Sequence, residues 1–148
     1  LRAINHEARP IWLEDEAQRI GLVNIPKDLW DNMRRSPIHF LDISFEERLK
    51  HITEEYGAGD KQALLDAIER IREKLGGLNA KNASLFLEEG NTIESFRILL
   101  KYYDKFYLKA LHNRESLNSL LHSIEFKSVS AENANRLLAE HQYQHEKP

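Results

Sequence analysis

Residues 10–21 of the chain read PIWLEDEAQRIG, an apolar run that ends in consecutive acids. The run Ile-Trp-Leu at positions 11–13 is typical of a buried strand, and the acids at 14–16 follow it directly. A surface helix would spread its acids around the helix axis instead. The pattern predicts a short core strand, Ile11 to Glu14, that delivers carboxylates to one edge of a sheet.

The composition is that of one globular domain. The 148 residues are 41% hydrophobic and 30% charged, which excludes a disordered chain, and no apolar run approaches the roughly 20 residues of a membrane-spanning helix. The formal net charge of −3 gives no global attraction to nucleic acid, so such binding needs a local basic stripe. The chain has no cysteine, which excludes disulfides and thiolate chemistry within it and fits a cytoplasmic protein.

Two more segments have strand patterns. Ile38 to Asp42 is an apolar run bounded by Ser-Pro and ending in an acid. Ile124 to Val129 alternates apolar and charged side chains, as expected of an edge strand with one solvated face.

Most of the remaining sequence has helical patterns. Ser44 and Glu47 form a capping-box pattern, and apolar residues repeat at helical spacing from Leu64 to Leu75. A short helix is expected from Lys81 to Glu89, and the strongest helical pattern begins at Asn91. Strands that alternate with helices predict an α/β fold with a parallel sheet of three short strands, helix-rich overall, with a helical insertion at about 57–112.

Acids at the end of a core strand have two interpretations. In P-loop nucleotide-binding proteins such an acid holds or orients Mg²⁺ beside the phosphates, at the strand end that opens into the ligand crevice. The alternative is that the acids cap the next helix or pair with Arg19. The phosphate-binding motif G-x-x-x-x-G-K-[ST] does not occur in the 148 residues.

Several blocks of the sequence resemble bacterial tRNA 2-selenouridine synthase downstream of its P-loop. WLEDEAQRIG and NIPKDLWDNMR are similar to the family's Glu-Asp-Glu-Ser, Arg-x-Ile-Gly and His-Leu-Pro segments, although Ala17 replaces the serine and Asn24-Ile25-Pro26 replaces His-Leu-Pro. FLDISFEERLKHITEEYG and LLKYYDKFYLKAL resemble its Phe-Glu-x-Arg-Leu, Glu-Glu-Tyr and Tyr-Tyr-Asp segments. The similarity is sparse between about 58 and 90, but the blocks follow the family's order.

The resemblance implies a C-terminal fragment of a longer transferase, in which a rhodanese-like domain with a cysteine precedes a P-loop domain. Those enzymes replace sulfur by selenium in wobble 2-thiouridine of tRNA, with selenophosphate as co-substrate and a geranylated intermediate. Mg²⁺ and a nucleotide are cofactor candidates for the longer enzyme. The fragment alone is expected to be inactive, to bind no cofactor tightly, and to have tRNA, the missing segments and a second copy of itself as candidate partners, without a membrane.

The resemblance also assigns candidate site residues. Asp15, with Glu14 and Glu16 beside it, would be a metal or water ligand opposite the missing phosphate loop. Arg19 and Arg48 match family arginines, as phosphate ligands or as partners of the acids. If the family's strand order holds, strands 11–14 and 38–42 either pair directly or leave a gap that another copy fills.

A basic ridge is expected on the helix that begins at Asn91. Arg97, Lys101, Lys105 and Lys109 repeat every four residues beside Tyr102, and such a ridge suits a tRNA backbone. The alternative is a solvated helix face. The neighbouring aromatic residues Tyr103, Phe106 and Tyr107 follow the apolar stripe and are predicted to be core; the alternative is that they are platforms on which bases stack.

Two other classes of function stay open on the sequence. A non-catalytic RNA-binding module requires that the lysines suffice for binding. A protein-interaction module requires that the long helix exposes its aromatic stripe.

Overall fold

The computed structural model describes residues 11–15 and 17–145, with side chains described up to residue 139. The chain divides into two compact units, Leu1–Ser36 and Pro37–Pro148. The helices are α1 (Lys27–Arg35), α2 (Phe45–Tyr56), α3 (Lys61–Arg70), α4 (Arg72–Leu75), α5 (Gly77–Glu88), α6 (Thr92–His112), α7 (Leu117–Leu120) and α8 (Ala131–His145). The strands are β1 (Arg19–Ile20), β2 (Val23–Asn24), β3 (Ile38–Ile43) and β4 (Leu121–Phe126).

The first unit holds a small hairpin and one helix. Strands β1 and β2 pair antiparallel, with Arg19 opposite Asn24, around a turn in which Gly21 has φ +60°. A glycine adopts this left-handed conformation without the steric cost that a Cβ would add. Helix α1 follows Pro26, whose fixed φ suits a helix start. The sequence patterns at residues 19–24 do not predict this hairpin.

The predicted core strand from Ile11 to Glu14 is wrong for this structure. Residues 11–15 have no regular secondary structure, and Ile11 and Leu13 are 45% and 53% exposed. A strand forms only where a neighbouring strand binds its backbone N–H and C=O groups. None of the described strands pairs with residues 11–15, so the apolar run stays in water.

The second unit contains a parallel sheet of two strands. Strand β3 pairs with β4 in register from Ile38 opposite Leu121 to Ile43 opposite Phe126. The parallel pairing and the helix-rich α/β class are confirmed, but the three-stranded sheet is not formed by the described residues. Direct pairing of strand 38–42 with strand 11–14 is not formed by the described residues, in which β3 pairs with β4 along one edge. The alternative, a gap that another copy fills, stays a prediction.

The bounds of the third predicted strand shift toward the N-terminus. The alternation suggested 124–129, whereas β4 covers Leu121–Phe126. The pairing with β3 fixes the bounds of β4, because the six residues of β3 pair one to one with residues 121–126. The register also brings the rings of His39 and His122 together, stacked with centroids 5.2 Å apart.

Helices α2 to α7 connect the two parallel strands, and side-chain caps begin the main ones. Ser44 Oγ accepts a hydrogen bond from the Glu47 backbone N–H at 3.3 Å, as the capping-box pattern predicts. Asn91 caps α6 by accepting from the Glu94 N–H at 3.4 Å. Helix α5 begins at Gly77, before the predicted Lys81, because Gly76 at φ +89° lets the chain leave α4 and enter α5 directly.

The hydrophobic core lies where α3, α4, α5 and α6 pack together. Its buried residues are Ile68, Leu75, Ala80, Ala83 and Leu87, with Leu64, Leu65, Ile71, Ile98, Leu99 and Tyr102 partly buried around them. The helical repeat from Leu64 to Leu75 supplies much of this core, although it is divided at Ile71 into α3 and α4. Within the described residues, no helix is both long and apolar enough to cross a bilayer.

Arg48 joins three elements of the second unit. From α2 it donates two parallel hydrogen bonds to the Asp104 carboxylate on α6, at 2.6 and 2.8 Å, and a third from Nε to the Ile43 carbonyl of β3 at 3.0 Å. Both side chains are about two-thirds buried, with 32% of Arg48 and 26% of Asp104 exposed. The hydrogen bonds to Asp104, and the nearby charges of Asp104 and Asp42, raise the pKa of Arg48 above its ordinary value.

We expect Arg48→Ala to lower the free energy of unfolding by about 1–3 kcal/mol, because it leaves a partly buried carboxylate without its bidentate partner. Urea denaturation at 25 °C measures the change. Arg72→Ala is the matched control, since it breaks an exposed Arg72–Glu69 pair within one stretch of chain and is expected to cost less than about 1 kcal/mol. Equal losses in the two variants would contradict a structural role of Arg48.

Candidate nucleic-acid interface

The predicted basic ridge lines a groove beside α6. Lys101, Lys105 and Lys109 follow one another at four-residue spacing, which places them along one side of a helix. The groove has a volume of about 520 Å³ and is lined by Lys74, Leu75, Asn79, Ile98, Lys101, Tyr102, Lys105, Phe106 and Lys109. All these residues belong to the second unit.

Lys74 also lines the groove, although the sequence patterns do not predict it. It lies on α4, 27 positions before Lys101, and only the packing of α4 and α5 beside α6 brings it to the same groove. A single lysine in a charged segment carries no signal of this placement. The groove thus receives positive charge from both of its sides.

No carboxylate is among the residues that line the groove. On α6, the acids are Glu94 and Asp104, and each is bound by an arginine: Glu94 by Arg97 at 3.1 Å and Asp104 by Arg48. Asp104 is three positions from Lys101, a spacing at which oppositely charged side chains of a helix meet. The Asp104 carboxylate is thus paired with Arg48 and not with these lysines. On α2, the pKa of Glu46 is lowered mainly by its hydrogen bond from Arg97 and also by the charge of Lys101.

Tyr102 belongs both to the core and to the wall of the groove. Its ring packs against the core cluster, and it also forms part of the groove wall. The ring lies edge-on to Tyr103, with centroids 5.3 Å apart. Tyr102 therefore anchors the groove to the core.

Arg97 is not among the groove residues. It binds Glu46 of α2 at 2.6 Å and Glu94 of its own helix at 3.1 Å, and these hydrogen bonds raise its pKa. Its predicted tRNA contact stays a prediction, and it would require exchange of these carboxylates for phosphate.

The expectation that the aromatic residues after Tyr102 belong to the core is wrong. Tyr103, Phe106 and Tyr107 are 43%, 54% and 47% exposed. The apolar stripe of α6 is buried only in its first half, where α5 and α2 pack against the helix. Beyond Tyr102 the aromatic residues of the stripe are exposed, because too little of the chain packs against them. A regular helical pattern therefore does not by itself bury a side chain.

Each of the three guanidinium nitrogens of Arg48 donates a hydrogen bond within the chain. Contact of Arg48 with a phosphate, predicted from the resemblance, stays a prediction. It would require an anion to compete with the Asp104 carboxylate.

The acids and the arginine of the opening stretch lie in the first unit. Glu14 and Asp15 lie in an exposed segment, and Glu16 lies outside the described residues. Arg19 donates from Nε to the Gly21 carbonyl at 3.1 Å across the hairpin turn. Nowhere in the described part of the chain are three or more His, Asp or Glu residues arranged to hold a metal ion. Since a Mg²⁺ ion beside phosphates needs only one or two protein carboxylates, the assignment of Glu14, Asp15 and Glu16 as metal ligands stays a prediction.

The two best-defined sequence blocks of the second unit meet in space. The block Phe45-Glu46-Glu47-Arg48-Leu49 opens α2, and the block Tyr102-Tyr103-Asp104 lies in α6. Arg48 binds Asp104, Glu46 binds Arg97, and both guanidinium groups lie 5.9 Å from the Phe45 ring. Leu49 is fully buried. These blocks therefore hold α2 against α6 and position the lysine-bearing half of α6.

The fold is that of a helix-rich α/β chain, and four lysines and two aromatic residues are among those that line its groove. The chain belongs to the family described as the tRNA 2-selenouridine synthase AAA domain, which matches residues 1–138.

Curated relatives carry the corresponding name. The tRNA 2-selenouridine synthase of Cupriavidus pinatubonensis is 30% identical over 67% of this chain and 35% of its own length. The same enzyme of Marinobacter nauticus is 31% identical over 72% and 37%, and that of Cupriavidus necator 26% identical over 78% and 40%. The chain thus spans little more than a third of the length of the relatives it matches. No solved structure matches it.

We expect Arg97→Gln to raise the pKa of Glu46 toward the ordinary 4.5, because the hydrogen bond from Arg97 is the main cause that holds it lower. The carboxyl carbon of Glu46, followed by NMR against pH, measures the change. Since the folded pKa lies below the unfolded one, the stabilisation from this pair is present above about pH 4.5 and is lost as the pH falls. Arg72→Gln is the control and leaves Glu46 unchanged; an unaltered Glu46 titration in Arg97→Gln would refute the assignment.

Proposed function

We propose that the chain is the C-terminal part of a tRNA-modifying enzyme that replaces sulfur by selenium in wobble 2-thiouridine, and that the groove beside α6 holds the tRNA backbone. The support for the activity is family membership and the relatives' name. The longer enzyme would supply the phosphate loop and the cysteine that these 148 residues lack. The chain alone is expected to bind tRNA without modifying it.

One observation carries the proposed tRNA contact: four lysines converge on a single groove that no carboxylate lines. A net charge of −3 on the chain disfavours binding of a polyanion, so any affinity must come from a local concentration of cations. Ammonium groups bind phosphate oxygens and displace condensed counterions, which gives affinity without reading the sequence. This suits an enzyme that must hold the body of its RNA while another part acts on one base.

The other cofactor assignments stay proposals for the longer enzyme. Selenophosphate as co-substrate, Mg²⁺ and a nucleotide all depend on the phosphate loop. Glu14, Asp15 and Glu16 are ligands to test there.

The test is the binding of a fluorescein-labelled tRNA to the 148-residue chain, followed by anisotropy at increasing KCl. The triple substitution Lys101→Gln, Lys105→Gln, Lys109→Gln is expected to weaken binding at least about tenfold at low salt. It should also lower the slope of log K against log salt by about 2 to 3, because each phosphate contact contributes close to one.

A matched control removes the same charge elsewhere. Lys50, Lys81 and Lys127 are exposed and lie outside the groove, so their triple replacement by glutamine changes the net charge equally and should alter affinity less than about threefold. If both triple variants lose the same affinity, overall charge and not the groove binds the tRNA. If neither loses affinity, the groove is not the tRNA site.

A further inference from the structure

The second half of α6 exposes three aromatic rings on one face. Tyr103, Phe106 and Tyr107 occupy positions i, i+3 and i+4, which lie side by side on a helix. About half of each side chain is in contact with water. Phe106 and Tyr107 meet edge to face, with centroids 6.0 Å apart and ring planes at 88°.

This face is continuous with the lysine groove. Phe106 lines the groove together with Lys101, Lys105 and Lys109, and it also touches Tyr107 outside the groove. Tyr103 is in contact with Tyr102, which is itself a groove residue packed on the core. At 3.6 residues per turn, Tyr103 and Tyr107 lie on a different side of α6 from the three lysines, and Phe106 lies where the two sides meet.

We propose that Tyr103, Phe106 and Tyr107 are a stacking platform for unpaired bases, and that the groove and platform together bind a single-stranded segment of RNA. The inference rests on the proposed function, since the lysines must bind the phosphates of the same strand. It adds that the bound segment is a loop or an end of the RNA and not a duplex.

The chemistry of the face selects this occupant. The ligand must be polyanionic to complement four lysines and must offer flat apolar surfaces to complement three exposed rings. Unpaired nucleotides combine the two, because each carries one phosphate and one base with an accessible face, whereas a duplex hides its base faces in the stack. A second copy of the chain could cover the three rings, but it offers no phosphates to the four lysines.

The distance between the outer lysines of α6 sets the number of nucleotides that the groove can bind. Lys101 and Lys109 are separated by eight residues, about 12 Å along the helix axis. This length matches roughly three or four stacked nucleotides at about 3.4 Å each. We expect oligonucleotides shorter than this to bind measurably more weakly than longer ones.

The test compares two labelled probes on the 148-residue chain by anisotropy: a 12-nucleotide oligouridine and a 12-base-pair RNA duplex. The triple substitution Tyr103→Leu, Phe106→Leu, Tyr107→Leu keeps apolar side chains and removes the rings. It is expected to weaken binding of the single strand at least about tenfold, since stacking on an aromatic side chain is a large part of such affinity. Binding of the duplex should change less than about twofold.

Two further variants keep the test decisive. Tyr103→Phe with Tyr107→Phe retains the rings without the hydroxyl groups and should retain single-strand binding within about twofold. Phe106→Leu alone changes one exposed ring and is expected to weaken the single strand about threefold or more, so it gives the same comparison if the triple variant does not fold. Thermal unfolding followed by circular dichroism reports on folding.

The outcomes separate the inference from the proposed function. If the groove-lysine variant loses both probes and the leucine variant loses neither, or loses both equally, the stacking platform is refuted and the phosphate groove stands. If the lysine variant loses no affinity, both fail. If sedimentation equilibrium finds a dimer that the leucine variant abolishes, the face is an interface between copies, and the inference is overturned.

Discussion

The bidentate ion pair between Arg48 and Asp104 is the interaction on which the arrangement of the second unit depends. It ties the end of β3, the first turn of α2 and the middle of α6 through one guanidinium group. In a second ion pair the arginine comes from the other helix: Arg97 of α6 binds Glu46 of α2. Each of the two guanidinium groups lies 5.9 Å from the centre of the Phe45 ring. Because planar guanidinium forks fix geometry as well as charge, α2 and α6 are held at one rotation relative to each other.

The same ion pair prepares the surface of α6. Both carboxylates of that helix are bound by arginines, so its lysines have no acid of their own helix to pair with. Positive charge then accumulates on the side that faces α4, where Lys74 adds to it. An interaction that stabilises the fold thus also determines which charges stay available to a ligand. The helix pattern continues beyond the packed region, which leaves the aromatic rings in water beside these lysines.

The opening acids illustrate the limit of a local pattern. An apolar run followed by acids has the composition of a core strand, but a strand forms only where a neighbouring strand pairs with its backbone. Residues 11–15 have no strand partner among the described residues and remain exposed. The pattern at 38–42 has the same character, and it forms β3 because β4 pairs with it over six residues. Both runs are apolar and end in an acid. Only the run at 38–42 has a partner strand among the described residues.

The sequence by itself determined the main helices, the caps at Ser44 and Asn91, the strand at 38–42 and the spacing of the lysines on α6. These depend on side chains close in the chain, where capping and helical periodicity act. Only the tertiary structure decided that β3 pairs with β4, that Lys74 joins the groove, that Arg48 binds Asp104 across 56 residues, and that the aromatic stripe is exposed. Such contacts form between residues far apart in the chain. A local pattern carries no information about them, since burial and ion pairing depend on what packs against a side chain and not on its immediate neighbours.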